Sequence, residues 1–210
     1  MVRKARSEMI AETRAKLLAA ARHAFGTVGY AAASMDDFTA AAGLTRGALY
    51  HHFGDKKRLL EAVIIEIDSE MEVKLRAIRN RASDPWQGFV DESVAYVEMA
   101  LEPEIQRIML RDGPAVLGDP SGWPTEEACV GALRESIERF VADGILAPLD
   151  TEATARLLNG MMLSAALWIA RSPDPEETTL RAVGSLKMLL ASLRRGAAPH
   201  SSTMAESIRP

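Results

Sequence analysis

Ser34-Met-Asp-Asp-Phe-Thr-Ala-Ala-Ala-Gly43-Leu-Thr45-Arg-Gly-Ala-Leu-Tyr-His-His-Phe53 is the stretch that decides the fold of this chain. It spells two short helices joined by a tight turn. Ser34 and Thr45 supply side-chain oxygens that can accept from the free amides at a helix start. Gly43 can take the left-handed backbone conformation that closes the first helix without a Cβ clash. Met35, Phe38, Leu44, Leu49 and Phe53 recur at helical spacing and are expected to face inward, against a preceding helix. Arg46, Gly47, Tyr50, His51 and His52 then fall on the outside of the second helix.

Those outward residue types suit a helix lying in the major groove of B-DNA, where the N-terminal end reaches base edges. Arg46 can fork onto a guanine, a contact worth roughly 1–3 kcal/mol of discrimination. Gly47 leaves room for close approach to a base. Tyr50 and the two imidazoles can hydrogen-bond phosphates, which position a helix without reading sequence. Ser34 and Lys56 lie at helix starts, where free N–H groups favour a phosphate oxygen.

Outward from this stretch the whole chain reads as α-helix, with no alternating β-branched runs. A first helix runs from Ser7 or Glu8 to Val28, with Leu17, Ala21, Ala24 and Phe25 on one face and Gly29 as its stop. Asp55 caps a long helix from Lys56 to about Arg81, striped by Leu59, Val63, Ile67, Met71 and Leu75. Ser83-Asp84-Pro85 starts another helix. Glu102-Pro103 opens one that Asp112-Gly113-Pro114 should break, and Gly118–Pro124 should be loop. Helices follow over about 125–142, 151–171 and from Asp174-Pro175 to near Gly196. The last carries Leu180, Val183, Leu186, Leu190 and Leu193 on one side. About nine helices are expected, divided into residues 1–60, residues 61–196 and a mobile tail, 197–210.

Composition narrows the function. The chain has 210 residues, 48% hydrophobic and 26% charged, enough for a packed core. The net charge of -4 is unevenly placed: residues 1–60 carry ten Lys/Arg against five Asp/Glu, the remainder fifteen against twenty-four. A basic N-terminal unit on an acidic body is the asymmetry of a DNA reader joined to something else. The single cysteine, Cys129, excludes an intrachain disulfide and any cysteine zinc cluster. No secretory leader pattern is present, and the longest uninterrupted apolar stretches, such as Met161–Ala170, are too short to span a bilayer. A soluble, cytoplasmic protein with no membrane partner is expected.

Leu-Thr-Arg-Gly-Ala-Leu-Tyr-His-His-Phe-Gly-Asp-Lys-Lys-Arg-Leu-Leu, residues 44–60, closely resembles the recognition helix and linker of the TetR family of bacterial regulators. Phe25-Gly-Thr-Val-Gly-Tyr30 resembles the end of that family's first helix, and Asp112-Gly-Pro-Ala-Val-Leu-Gly118 is similar to a segment in some members' C-terminal domains. By position, the resemblance implies that Ser34, Arg46, Tyr50, His52 and Lys56 touch DNA, beside Thr45, Gly47 and His51 of the same surface. It also implies a small-molecule effector inside the C-terminal part and a homodimer through residues 151–171 and 175–195. There the small residues Gly160, Ser164, Ala165, Gly184 and Ser185 would let helices approach closely. The expected function is a sequence-specific repressor on a near-palindromic operator, released by the effector. Two departures stand out. Phe38-Thr39 replaces a smaller aliphatic residue followed by Ala, and Asp36-Asp37 puts acid near the DNA end.

Trp86, Met99, Gln106, Met109, Asn159, Met162 and Trp168 are the candidates to line an effector pocket; aromatic and methionine residues are equally ordinary core. Adjacent imidazoles on a helix diverge by about 100°, so His51 and His52 cannot chelate one ion together. Cys129 has no arranged basic partner and reads as a buried structural thiol. No zinc-ligand spacing, phosphate loop or nucleophile motif occurs, so neither an enzyme, a metal nor a cofactor is expected. The alternatives are a helical protein-interaction module and a ligand carrier without operator binding.

Overall fold

A computed structural model of the chain describes residues 6–194. The expected tail, 197–210, lies outside them. Among the described residues there are nine α-helices and no strands, the only β pairing being one isolated bridge between Leu146 and Arg194. The helices are α1 (Arg6–Val28), α2 (Met35–Ala41), α3 (Arg46–Phe53), α4 (Lys56–Arg79), α5 (Pro85–Glu98), α6 (Gly113–Leu117), α7 (Glu126–Ala142), α8 (Thr151–Arg171) and α9 (Pro175–Leu193).

Side-chain oxygens start most of them. Ser34, Thr45, Asp55, Asp84, Asp150 and Asp174 each accept from a backbone amide of the following turn. Pro85 and Pro175 sit in first turns, where a missing N–H costs nothing. α1, α2 and α3 close around Leu17, Ala21, Phe25, Phe38, Leu49 and Phe53, all buried. Phe38 meets Phe25 edge-on with centroids 6.0 Å apart, so the larger residue at that position fills the centre of the unit.

α4 carries this unit into the rest of the molecule. Leu59, Leu60, Val63, Ile64, Ile67 and Met71 form one buried stripe along this helix, and α4 contacts α1 and α3 at one end and α5 and α6 beyond. The apolar core is one contiguous cluster from Leu17 to Leu190, and residue 60 falls inside it. On α9, Val183, Leu186 and Leu190 are buried as the spacing predicts; Leu180 is instead 71% exposed, on the side where Met188 also lies open. α8 spans 21 residues and contains an 18-residue window of mean hydropathy 1.2, long and apolar enough to cross a bilayer by length and composition alone. It packs against α5, α7 and α9.

The main departure from the expected pattern lies between α5 and α7. Gly113-Pro114 does not break a helix. Ile105–Asp112 is a π-helix that runs directly into α6, and Pro114 sits in the first turn of α6. The i→i+5 bonding has a geometric result. At 3.6 residues per turn, positions 107 and 112 would point about 140° apart. In the wider turns they share a face, where Arg107 and Asp112 lie 3.6 Å from each other. The expected loop at 118–124 contains a short 3-10 turn, Pro120–Gly122.

Candidate nucleic-acid interface and effector cavity

α3 presents the surface that the sequence singles out. Arg46, Gly47, Tyr50 and His51 are exposed and His52 is half-buried. Thr45 accepts from the Ala48 amide at 3.2 Å and Ser34 from the Asp37 amide at 3.4 Å, so both hydroxyls fix helix starts. Nothing but the Thr45 hydroxyl, at 3.8 Å, stands within 4 Å of a Cβ built on Gly47. Lys56, at the first turn of α4, lays its ammonium 4.5 Å from the centre of the Tyr30 ring. Burial holds its pKa below the ordinary lysine value. His52 titrates below free imidazole, through burial first and then the nearby His51 and Arg14 charges.

Asp36 is one of the two acids that the sequence puts near the DNA end. Its carboxylate is paired with Arg46 at 3.4 Å, and Arg46 also reaches the Tyr50 hydroxyl at 3.4 Å. All three groups are open to solvent, so the pair is a weak one that phosphate or a base edge can displace.

The C-terminal part encloses a cavity of about 260 Å³ between α4, α5, α7 and α8. Met71, Leu75, Leu133 and Met162 make its apolar wall. A smaller lobe of about 60 Å³ continues from it towards the π-helix and is walled by Ile105, Met109, Leu110 and Trp123. Asp68, Met71, Tyr96, Thr125, Cys129 and Asn159 border both lobes.

Of the seven expected pocket residues, Asn159 and Met162 line the larger lobe, and Met109 and Asn159 the smaller. Trp86 does not face it: it stacks in an aromatic core with Phe89 and Phe140, centroids 5.6 and 5.2 Å away. Met99 is buried and Gln106 half-buried, neither on the cavity wall. Trp168 is 45% exposed on the outer face of α8, with Arg181 above its ring. Cys129 also departs from expectation, since its side of α7 is open onto the cavity rather than packed in core. Burial, then the Asp68, Glu126 and Glu72 charges, push its thiol up to about 11. Among the described residues no group of His, Cys, Asp and Glu could hold a metal ion.

Sequence reading missed Asp68, Tyr96 and the Arg79–Glu92 pair (2.8 Å), all on the cavity wall. Asp68 sits between Ile67 and Met71 of the buried stripe, and that polar interruption was the available signal. Also missed were the contacts joining the two parts of the chain. Arg107 donates to the Val28 carbonyl at 2.9 Å, and the Tyr30 amide donates to Asp112 at 2.7 Å. Gly29, at φ +84°, lies under Arg107, whose guanidinium a Cβ would strike at 2.1 Å. Arg22 of α1 binds Glu104 and Glu70 through paired hydrogen bonds of 2.7–2.8 Å. Arg111 of the π-helix donates to the Ala170 carbonyl at the end of α8.

A helix-turn-helix unit joined by one long helix to a hollow helical body defines a DNA-binding transcriptional regulator with an internal cavity. Comparison with known proteins gives the family. Residues 17–63 match the model described as bacterial regulatory proteins, tetR family, and residues 86–193 that of a tetracycline repressor-like C-terminal domain. The UidR regulator of Escherichia coli K12 is 31% identical over 158 residues, 70% of this chain and 76% of that protein. The transposon Tn10 TetC protein of Escherichia coli is 25% identical over 169 residues, 76% and 81% of the two chains. The crystal structure of a TetR-family transcriptional regulator from Pectobacterium atrosepticum superposes with a TM-score of 0.83 at 49% identity, covering 91% of this chain and 98% of that one. The chain belongs to the TetR family of bacterial transcriptional regulators.

Proposed function

We propose that this regulator is a dimeric repressor, held on a near-palindromic operator and released when a small molecule fills the cavity behind α4. One observation carries the reading: the π-helix that walls the cavity with Met109 and Leu110 also grips the end of α1 with Arg107 and Asp112. A ligand that moves one face of this segment moves the other, and with it the orientation of α3.

In this reading residues 1–60 bind DNA and residues 61–196 bind the effector and the second subunit. Arg46 reads a base edge, while Tyr50, His51, His52, Lys56 and the amides behind Ser34 and Thr45 hold phosphates. Dimerisation uses α8 and α9. Their outer faces expose Leu157, Trp168, Leu180, Met188 and Leu189. Gly160 and Gly184 lie on the same faces with nothing within 4 Å of a built Cβ, so a second copy can approach closely. Two half-sites suit a reader whose single short helix specifies few bases. The protein acts in the cytoplasm, with the cavity serving binding rather than catalysis.

The test is selection of duplexes from a random library by the purified protein, repeated at higher salt. A recovered palindrome, its half-sites about one helical turn or a near multiple apart, is the expected result. Retention without any motif, vanishing as salt rises, overturns the operator reading.

A further inference from the structure

Two ion pairs lie on the cavity wall: Arg79 with Glu92, and Arg76 with Glu72. The two lobes together show four carboxylates, Asp68, Glu72, Glu92 and Glu126, against those two guanidinium groups. Glu126 is occupied by the Asn159 amide, which donates to it at 2.8 Å. Asp68 is left over. It borders both lobes, and no cation pairs with it among the described residues.

The groups around Asp68 sharpen this. Tyr96 faces the same junction, and its hydroxyl has no hydrogen-bond partner among the described residues. Asn159 gives its NH₂ to Glu126, so its carbonyl oxygen is the atom left for another donor. The junction thus offers a carboxylate, a phenol oxygen and an amide oxygen, all able to accept. Burial raises the Asp68 carboxyl above the usual range, with Glu72 adding to the rise and only the Thr125 hydroxyl opposing it. A half-buried carboxylate without a counter-charge is costly to keep ionised, and a ligand cation removes that cost. The larger lobe beside it is walled by Met71, Leu75, Leu133 and Met162 and accepts an apolar body.

We propose that the effector is an amphipathic amine, its protonated nitrogen seated on Asp68 between the two lobes and its apolar body in the larger one. This rests on the cavity being the effector site. The ammonium takes the carboxylate as counter-ion and donates to Tyr96 and Asn159, while the ring of Tyr96 adds a face for the charge. An anionic ligand of the same shape meets Asp68, Glu72 and Glu126 and is rejected.

The probes are 4-phenylbutylamine, 4-phenylbutanol and 4-phenylbutyrate, matched in their apolar part and differing in head-group charge. Binding to the full-length protein is followed by calorimetry, and release of the selected operator by fluorescence anisotropy. The amine is expected to bind about tenfold or more tightly than the carboxylate, with the alcohol between. Asp68→Asn, with circular dichroism and operator binding unchanged, is expected to lose that preference while holding the alcohol within about twofold of the parent. If Asp68→Asn unfolds, Tyr96→Phe gives the same reading, expected to weaken the amine more than the alcohol. Equal or better binding of the carboxylate overturns the amine assignment and leaves the cavity as a ligand site. An amine that binds through Asp68 without releasing operator supports the assignment and overturns the effector reading. Failure of all three probes to bind overturns both.

Discussion

Arg22 and Glu104 stand 82 positions apart in the chain and meet through two hydrogen bonds of 2.8 Å. The same guanidinium holds Glu70 at 2.7 and 2.8 Å and reaches Glu66 at 3.4 Å, so one cation gathers three carboxylates from two segments. It thereby ties α1 of the reading unit to α4 and to the start of the π-helix. Arg22 stays charged at any attainable pH, because its bonds to Glu104 and Glu70 raise it far above the ordinary value. Arg22→Met leaves three acids facing one another and is expected to lower stability by about 1–2 kcal/mol, discounted for their partial exposure, in urea unfolding followed by circular dichroism.

This network also sets an acid limit. Its bond to Arg22 holds Glu70 below the usual value of 4.5. A depressed folded-state pKa contributes stability that is present above the unfolded value and is lost as pH falls through the folded one. Wild type should therefore lose more stability than Arg22→Met on going below about pH 4.5. Parallel loss in the two proteins would count against the network.

At the reading surface, Arg46→Ala is expected to cost about 1–3 kcal/mol of operator affinity and to relax the preference at one base position. Asp36→Asn works the other way. Freed from its 3.4 Å partner, Arg46 meets DNA without first leaving a carboxylate, and affinity should rise by about two- to fivefold at low salt and less at high salt. Anisotropy titrations at two salt concentrations separate the two effects.

A Cβ at Gly88 would lie 2.5 Å from the Arg79 carbonyl oxygen, where α4 and α5 cross. Backbone cannot step aside as a side-chain tip can. Gly88→Ala should force the helices apart at a cost of about 1–3 kcal/mol, read as a lower midpoint in thermal unfolding.

Cys129 gives a chemical check on the cavity's charge. With its thiol near 11, alkylation by iodoacetamide should still be accelerating steeply between pH 8 and 10. Asp68→Asn removes one of the charges that hold the thiolate back and should speed the reaction at pH 8. A rate that levels off by pH 9 would contradict this environment.

Helix starts were the most legible feature of the sequence, because Ser34, Thr45, Asp55, Asp84, Asp150 and Asp174 act on amides two or three residues away. The solvent face of α3 was legible for the same local reason. What could not be read were relations between distant segments. Trp86 and Met109 look alike as apolar residues on helices; only packing puts one in an aromatic core and the other against a cavity. Asp68 stands out as a polar break in a buried stripe, yet its lack of a counter-charge depends on α5, α7 and α8 together. Leu180 kept the spacing of the buried side of α9 and lies on the other face.

The π-helix at Ile105–Asp112 changes what similarity means along this part of the chain. Wherever turns are regular, losing or gaining a residue disrupts a helix, and evolution tends to place such events in loops. Here a relative one residue shorter could form an ordinary α-helix between the same endpoints. Had the missing residue stood between them, the counterparts of Arg107 and Asp112 would be four apart and would keep a common face; had it stood outside them, they would be five apart and point about 140° from each other. Two shorter relatives with the same residue types would thus keep or lose the paired grip on α1 according to where the residue is missing. The spacing between those two counterparts is therefore a better guide than percentage identity to which relatives can hold the end of α1 with both.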